Sequence, residues 1–106
     1  MEIIYITEIS KTKDIKQNLK IKNIKYISFV DYLKIKDQFL AKDYLLVIDK
    51  NYIKDDDLKK LKEGKKPESI VLLSDTLDWD SLIETFEKGE TFYLKPVKKE
   101  DFEIFE

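Results

Sequence analysis

Tyr44-Leu45-Leu46-Val47-Ile48-Asp49 and Ile70-Val71-Leu72-Leu73-Ser74 are continuous apolar runs, each ended by one polar residue. Strict apolar/polar alternation would mark strands with one wet face, so unbroken runs mark strands covered on both faces, in the middle of a parallel sheet. Working outward, Ile3 to Ile6, Tyr26 to Val30 and Thr91 to Leu94 supply three further short runs. Ser28 interrupts the second of these and the third is half polar, so both are expected nearer the sheet edges. Helically spaced segments lie between the runs. Lys13 to Lys20 follows Thr12 and carries Ile15 and Leu19 four apart, and Tyr32 to Leu40 follows a capping Asp31 with Tyr32, Ile35 and Phe39 on one stripe. Asp55-Asp56-Asp57 opens a short helix that Gly64 stops, and Asp78 caps Trp79 to Lys88, striped by Trp79, Leu82, Ile83 and Phe86 and stopped by Gly89. Lys99 to Glu106 adds about two turns, with Phe102, Ile104 and Phe105 as its apolar residues. This alternation predicts a doubly wound, five-stranded parallel α/β sheet flanked by helices, with an abbreviated last helix. Right-handed crossovers gather the strand C-termini on one edge, where sites in such sheets form.

Composition narrows the chemistry. The 106 residues make one domain, since roughly 100–200 residues is the usual domain size. All 20 basic residues are Lys, and the chain has no Arg, no His and no Cys. Thiolate nucleophiles, disulfides, thiolate zinc sites and imidazole bases are therefore excluded, which leaves carboxylates, hydroxyls and amines as active groups. A net charge of −2 and the lack of Arg speak against direct nucleic-acid binding. The N-terminal apolar run Ile3 to Ile6 is too short for a signal or membrane segment, so a cytoplasmic domain with no membrane role is expected. The Lys59 to Lys66 cluster is interleaved with acids and reads as a solvated helix face. Trp79 reads as a partly buried staple, or as a docking residue if it is exposed.

The residues just past the strands are Thr7 and Glu8, Asp49, Ser74, and Lys95 followed by Pro96. Converging at one sheet edge, they are the groups that phosphoryl transfer to a carboxylate requires. Asp49 would attack phosphorus, Glu8 would hold Mg²⁺ beside it, Ser74 would donate to a phosphoryl oxygen, and Lys95 would neutralise another. In these residues the chain resembles the receiver domain of bacterial two-component response regulators, a CheY-like or flavodoxin-like fold. The resemblance runs through Ile3-Ile4-Tyr5-Ile6 into Glu8, Leu45 to Asp49, Val71 to Ser74, and Gly89 with Phe92-Tyr93-Leu94-Lys95-Pro96. It implies that Asp49 is the phosphoacceptor, Ser74 and Phe92 the switch residues, and Lys95 the phosphate-pairing amine. It also implies a weak Mg²⁺ site made by Glu8, Asp49 and the backbone carbonyl of Asn51. The implied partners are a separate histidine kinase or other phosphodonor, an effector domain or protein such as a transcriptional regulator, and a second copy in a homodimer. No metabolic enzyme activity is implied beyond self-phosphorylation and dephosphorylation.

Three departures favour the alternative of a phosphorylation-independent pseudo-receiver that acts as an interaction or dimerisation module. Thr7 stands where the family carries the first of two adjacent acids. Losing a carboxylate ~5 Å from a divalent cation forfeits roughly 6 kcal/mol at an effective dielectric of 20, before solvent compensates. Asp75 replaces a small residue directly after the hydroxyl and places a negative charge where phosphate enters. The segment Lys50-Asn51-Tyr52-Ile53-Lys54 lacks the usual Pro and the later Gly. The abbreviated end leads to two expectations for the chain: either it is the N-terminal part of a longer regulator, or a partner covers what a full last helix would bury. A flavin or nucleotide carrier is disfavoured, because neither Gly64 nor Gly89 follows a strand as a phosphate loop.

Overall fold

A computed structural model describes residues 2–8, 24–36, 44–95 and 97–105. Its strands are β1 (Glu2–Ile6), β2 (Ile24–Ile27), β3 (Tyr44–Asp49), β4 (Ile70–Ser74) and β5 (Thr91–Leu94). They form one all-parallel sheet in the order β2-β1-β3-β4-β5. This is the doubly wound architecture expected, with β2 and β5 at the edges and β3 and β4 inside. The register sets Ile6 beside Ile48 and Asp49 beside Leu73, so the next residue of β1, Thr7, follows on beside Asp49.

The unbroken apolar runs are explained by two cores, one on each face of the sheet. Ile4, Ile6, Leu46, Ile48, Ile70 and Leu72 point to one face, where Tyr32 and Leu61 from the helices meet them. Ile3, Tyr5, Leu45, Val47, Val71 and Leu73 point to the other, against Val97 and Phe102. Full burial of each such side chain contributes about 1.5–3 kcal/mol, which is why β3 needs no polar residue before Asp49.

The helices are α1 (Phe29–Ile35), α2 (Asp55–Lys62) and α3 (Trp79–Glu87), joined by 3₁₀ turns at Lys50–Tyr52 and Pro67–Ser69; a third 3₁₀ segment, Lys99–Phe105, ends the chain. The last is the abbreviated terminal helix, wound more tightly than an α-helix. The expected helix over 13–20 lies outside the described residues, as do Leu40 and Pro96. Two expectations at the start of α1 are corrected. The strand ends at Ile27 rather than Val30, and the cap is Ser28 rather than Asp31: Ser28 Oγ accepts from the Asp31 amide at 3.2 Å. A hydroxyl that satisfies an orphan helix N–H is the stronger local preference, and it converts Phe29 and Val30 into the first helical turn.

A further correction concerns α3. Asp78 caps it as expected, accepting from the Asp80 and Ser81 amides, and Gly89 takes a positive φ of 80° at its end. Its apolar stripe, however, faces solvent. Trp79 is 66% exposed, Ile83 53% and Phe86 83%, while the buried residue of α3 is Thr85. Thr85 satisfies its hydroxyl by donating to the Ser81 carbonyl at 2.7 Å, which lets a polar residue face the sheet. Trp79 is therefore not a buried staple. The Lys59 to Lys66 cluster is only partly a solvated face: Lys59 and Lys60 are exposed, but Lys62 pairs with the buried Glu90 carboxylate at 2.8 Å and Lys65 donates to the Tyr44 carbonyl at 3.0 Å.

Candidate functional site at the carboxyl edge of the sheet

Four adjacent strands bring Thr7, Asp49, Ser74 and Lys95 to one edge, each at or just past its strand end. Asp49 ends β3 and caps the 3₁₀ turn that follows, its Oδ1 accepting from the Asn51 amide at 3.1 Å. β4 and β5 stay paired one step past Leu94, where the Lys95 amide donates to the Ser74 carbonyl at 2.9 Å. That bond aims the Lys95 ammonium across β4 at Asp49, and it donates to Oδ1 at 3.0 Å and Oδ2 at 2.8 Å. The Asp49 side chain is 2% exposed and that of Lys95 18%, so the pair is largely desolvated. An isolated carboxylate so buried would be strongly disfavoured; the bidentate ammonium and the Asn51 N–H compensate it.

Lys95 holds a second carboxylate. Asp75 Oδ1 lies 3.1 Å from its ammonium, with the Asp75 side chain 58% exposed. Burial pulls the Lys95 ammonium down, but the Asp49 and Asp75 carboxylates outweigh it and hold Lys95 above the ordinary lysine range. Burial, followed by the charge of Asp49, likewise pushes the Tyr5 phenol well up. Ser74 Oγ accepts from the Thr76 amide at 3.3 Å, and as an acceptor there it keeps its proton to donate elsewhere. Phe92 is half-buried against the core and lines a cleft between α3 and β5 with Leu82, Thr85 and Phe86.

Sequence reasoning missed the groups that tie the edge together. The Asn51 side-chain oxygen accepts from the Asp75 amide at 2.9 Å, which fastens the loop after β4 to the loop after β3. Tyr52 lies beneath Lys95, with the ammonium 5.3 Å from the ring centroid. The spacing Asp49-Lys50-Asn51 was a legible signal for the Asx-type turn, whereas the contact with Asp75 joins residues 24 apart and left no local trace.

The cation expected here has a sparse donor set. Glu8 is exposed, Asp49 is engaged by Lys95, and among the described residues no group of three or more acids gathers to hold a metal. Thr7 is buried, and its hydroxyl has no hydrogen-bond partner among the described residues. Mg²⁺ commonly takes one or two carboxylates and completes its shell with water and substrate phosphate, so a cation held by Glu8, Asp49 and the Asn51 carbonyl would have to draw most of its ligands from outside the described residues. Compared with known proteins, the chain matches no family profile, no curated protein and no solved structure. No helix among the described residues is long and apolar enough to cross a membrane.

Proposed function

We propose that the chain is a cytoplasmic receiver-type signalling domain in which Asp49 accepts a phosphoryl group from a histidine kinase. The observation that carries this reading is the bidentate Lys95 ammonium on the buried Asp49, with the Ser74 hydroxyl on the strand between them. An Asp49 oxygen would attack phosphorus as the P–N bond of a phosphohistidine breaks; the departing imidazole nitrogen keeps the electron pair and takes up a proton, and an acyl phosphate forms. The donor histidine would lie outside this sequence, which has none. Lys95 would pass from the carboxylate to a phosphoryl oxygen, and Ser74 would donate to another. Mg²⁺ held by Glu8, Asp49 and the Asn51 carbonyl would supply further neutralisation of phosphoryl charge. Movement of Ser74 and Phe92 would then reach the surface of α3 and β5, where Trp79, Ile83 and Phe86 stand exposed. That apolar face suits an effector or a second copy of the chain. The test is beryllofluoride with Mg²⁺, followed by amide spectra. Shifts at Ser74, Phe92 and α3 that Asp49→Ala removes are expected; no response at millimolar Mg²⁺ would overturn the switch.

Asp75 favours a second reading. Its carboxylate already occupies Lys95 at 3.1 Å, and Thr7 supplies no charge for a cation. On that reading the chain is a pseudo-receiver whose α3 face binds its partner constitutively, and the partner would bind equally well with and without beryllofluoride.

A further inference from the structure

The contacts around Asp75 close into a ring. Asp49 Oδ1 accepts from the Asn51 amide at 3.1 Å, and the Asn51 side-chain oxygen accepts from the Asp75 amide at 2.9 Å. Asp75 Oδ1 lies 3.1 Å from the Lys95 ammonium, which returns to Asp49 Oδ1 at 3.0 Å. The ring joins the ends of β3, β4 and β5, and Asp75 is the member that begins the turn into α3. Asp75, Thr76, Leu77 and Asp78 are all exposed, so this turn is held by polar contacts more than by packing. The Thr76 amide bond to Ser74 Oγ and the Asp78 cap stay within the segment. Among the described residues, the hydrogen bonds and ion pairs that tie the turn to other loops are the two made by Asp75. Each is open to solvent and weak alone, so the turn is seated by both together.

The two carboxylates on Lys95 differ in what it takes to release them. Oxygens of Asp49 at 2.8 and 3.0 Å and of Asp75 at 3.1 Å match the three N–H groups of an ammonium, so a further acceptor must displace one of them. The Asp49 side chain is 2% exposed and cannot be rehydrated in place, whereas that of Asp75 is 58% exposed and loses little by turning to water. A phosphoryl group on Asp49 adds acceptor oxygens beside Lys95 and negative charge that repels Asp75.

We propose that Asp75 is the catch of a clasp that seats the turn at 75–78, and with it the Trp79 end of α3, and that charge added at Asp49 opens the clasp by taking Lys95 from Asp75. The clasp belongs to the unmodified chain; its opening by a phosphoryl group rests on the phosphoacceptor reading. Trp79 follows directly on the turn and is 66% exposed, so opening changes the mobility of the side chain that α3 offers to a partner.

The test is nitrogen-15 relaxation on the full chain, with the fluorescence anisotropy of Trp79, its one tryptophan, as a second reading. Asp75→Ala and Asn51→Ala should each lower the amide order parameters of 75–78 from about 0.85 to below about 0.6, and lower the Trp79 anisotropy, while the strand amides keep their values. The double variant should go no lower, since a ring opened at one link has nothing left to lose at the other. Unchanged order parameters in either single variant, or additive effects in the double, would overturn the clasp. Beryllofluoride with Mg²⁺ should loosen the same turn in the parent as far as Asp75→Ala does. A turn that stays rigid while beryllofluoride produces shifts that Asp49→Ala removes would overturn the opening. No response to beryllofluoride at all would overturn the phosphoacceptor reading and the opening with it, while the clasp stands or falls on the variants.

Discussion

Removing Lys95 should cost far more stability than neutralising Asp49, although both changes break the same ion pair. Lys95→Ala leaves the Asp49 carboxylate, 2% exposed, with the Asn51 N–H at 3.1 Å as its remaining donor among the described residues. Breaking a buried pair in this way costs about 3–5 kcal/mol, and the partial solvent access of Lys95 places the expectation near the lower end, about 3 kcal/mol. Asp49→Asn keeps an acceptor for the Asn51 amide and leaves Lys95, already 18% exposed, with Asp75 and water. That change should cost about 1 kcal/mol. For a chain of this length the difference of about 2 kcal/mol corresponds to roughly 8 °C in melting temperature. Urea unfolding followed by far-ultraviolet circular dichroism measures it, because the exposed Trp79 is a poor reporter of the core. In the Asp49→Asn background, Lys95→Ala should add only about 1 kcal/mol, giving a coupling energy near 2 kcal/mol. Equal costs for the two single substitutions, or a coupling energy near zero, would refute the view that the ammonium compensates a desolvated charge.

Other outcomes follow from the same geometry. Asp75→Ala removes a carboxylate 3.1 Å from the Lys95 ammonium and should raise the rate of Asp49 phosphorylation by a small anionic donor about fivefold, measured by intact mass against time. Phe86→Lys changes a residue 83% exposed, so the melting temperature should stay within experimental error of the parent while partner capture or self-association through α3 is lost. Stability should fall as pH rises past about 10, because Lys95, Tyr5 and Tyr32 all bind their protons more tightly folded than unfolded. A group whose value is raised by folding stabilises fully below its unfolded pKa and loses that contribution as pH climbs through the folded one. Absorbance at the tyrosinate band should accordingly show Tyr5 and Tyr32 ionising together with loss of circular dichroism, and early ionisation of all six tyrosines would contradict it.

What could be read in advance separates along physical lines. β3 and β4 were legible because burial on both faces demands continuous apolar runs, and Asp49 and Ser74 were legible as the first polar residues to end them. Lys95 was legible as the charged residue after an edge strand. The start of α1 was not, since Ser28 is equally consistent with a break in a strand and with a helix cap. The stripe on α3 shows how far periodicity reaches: it places Trp79, Ile83 and Phe86 on one face but does not say which face meets the sheet. Here Thr85 does, through its bond to the Ser81 carbonyl. The Asn51 to Asp75 and Lys95 to Asp75 contacts join loops on different strands, and only the assembled sheet edge brings them together.

The most direct test of the phosphoacceptor reading is intact mass spectrometry of the chain after incubation with acetyl phosphate and Mg²⁺. Addition of one phosphoryl group is expected, labile to hydroxylamine as an acyl phosphate is, absent from Asp49→Ala and strongly slowed in Lys95→Ala. An unmodified chain under these conditions, or a phosphoryl group that persists in Asp49→Ala, would contradict it.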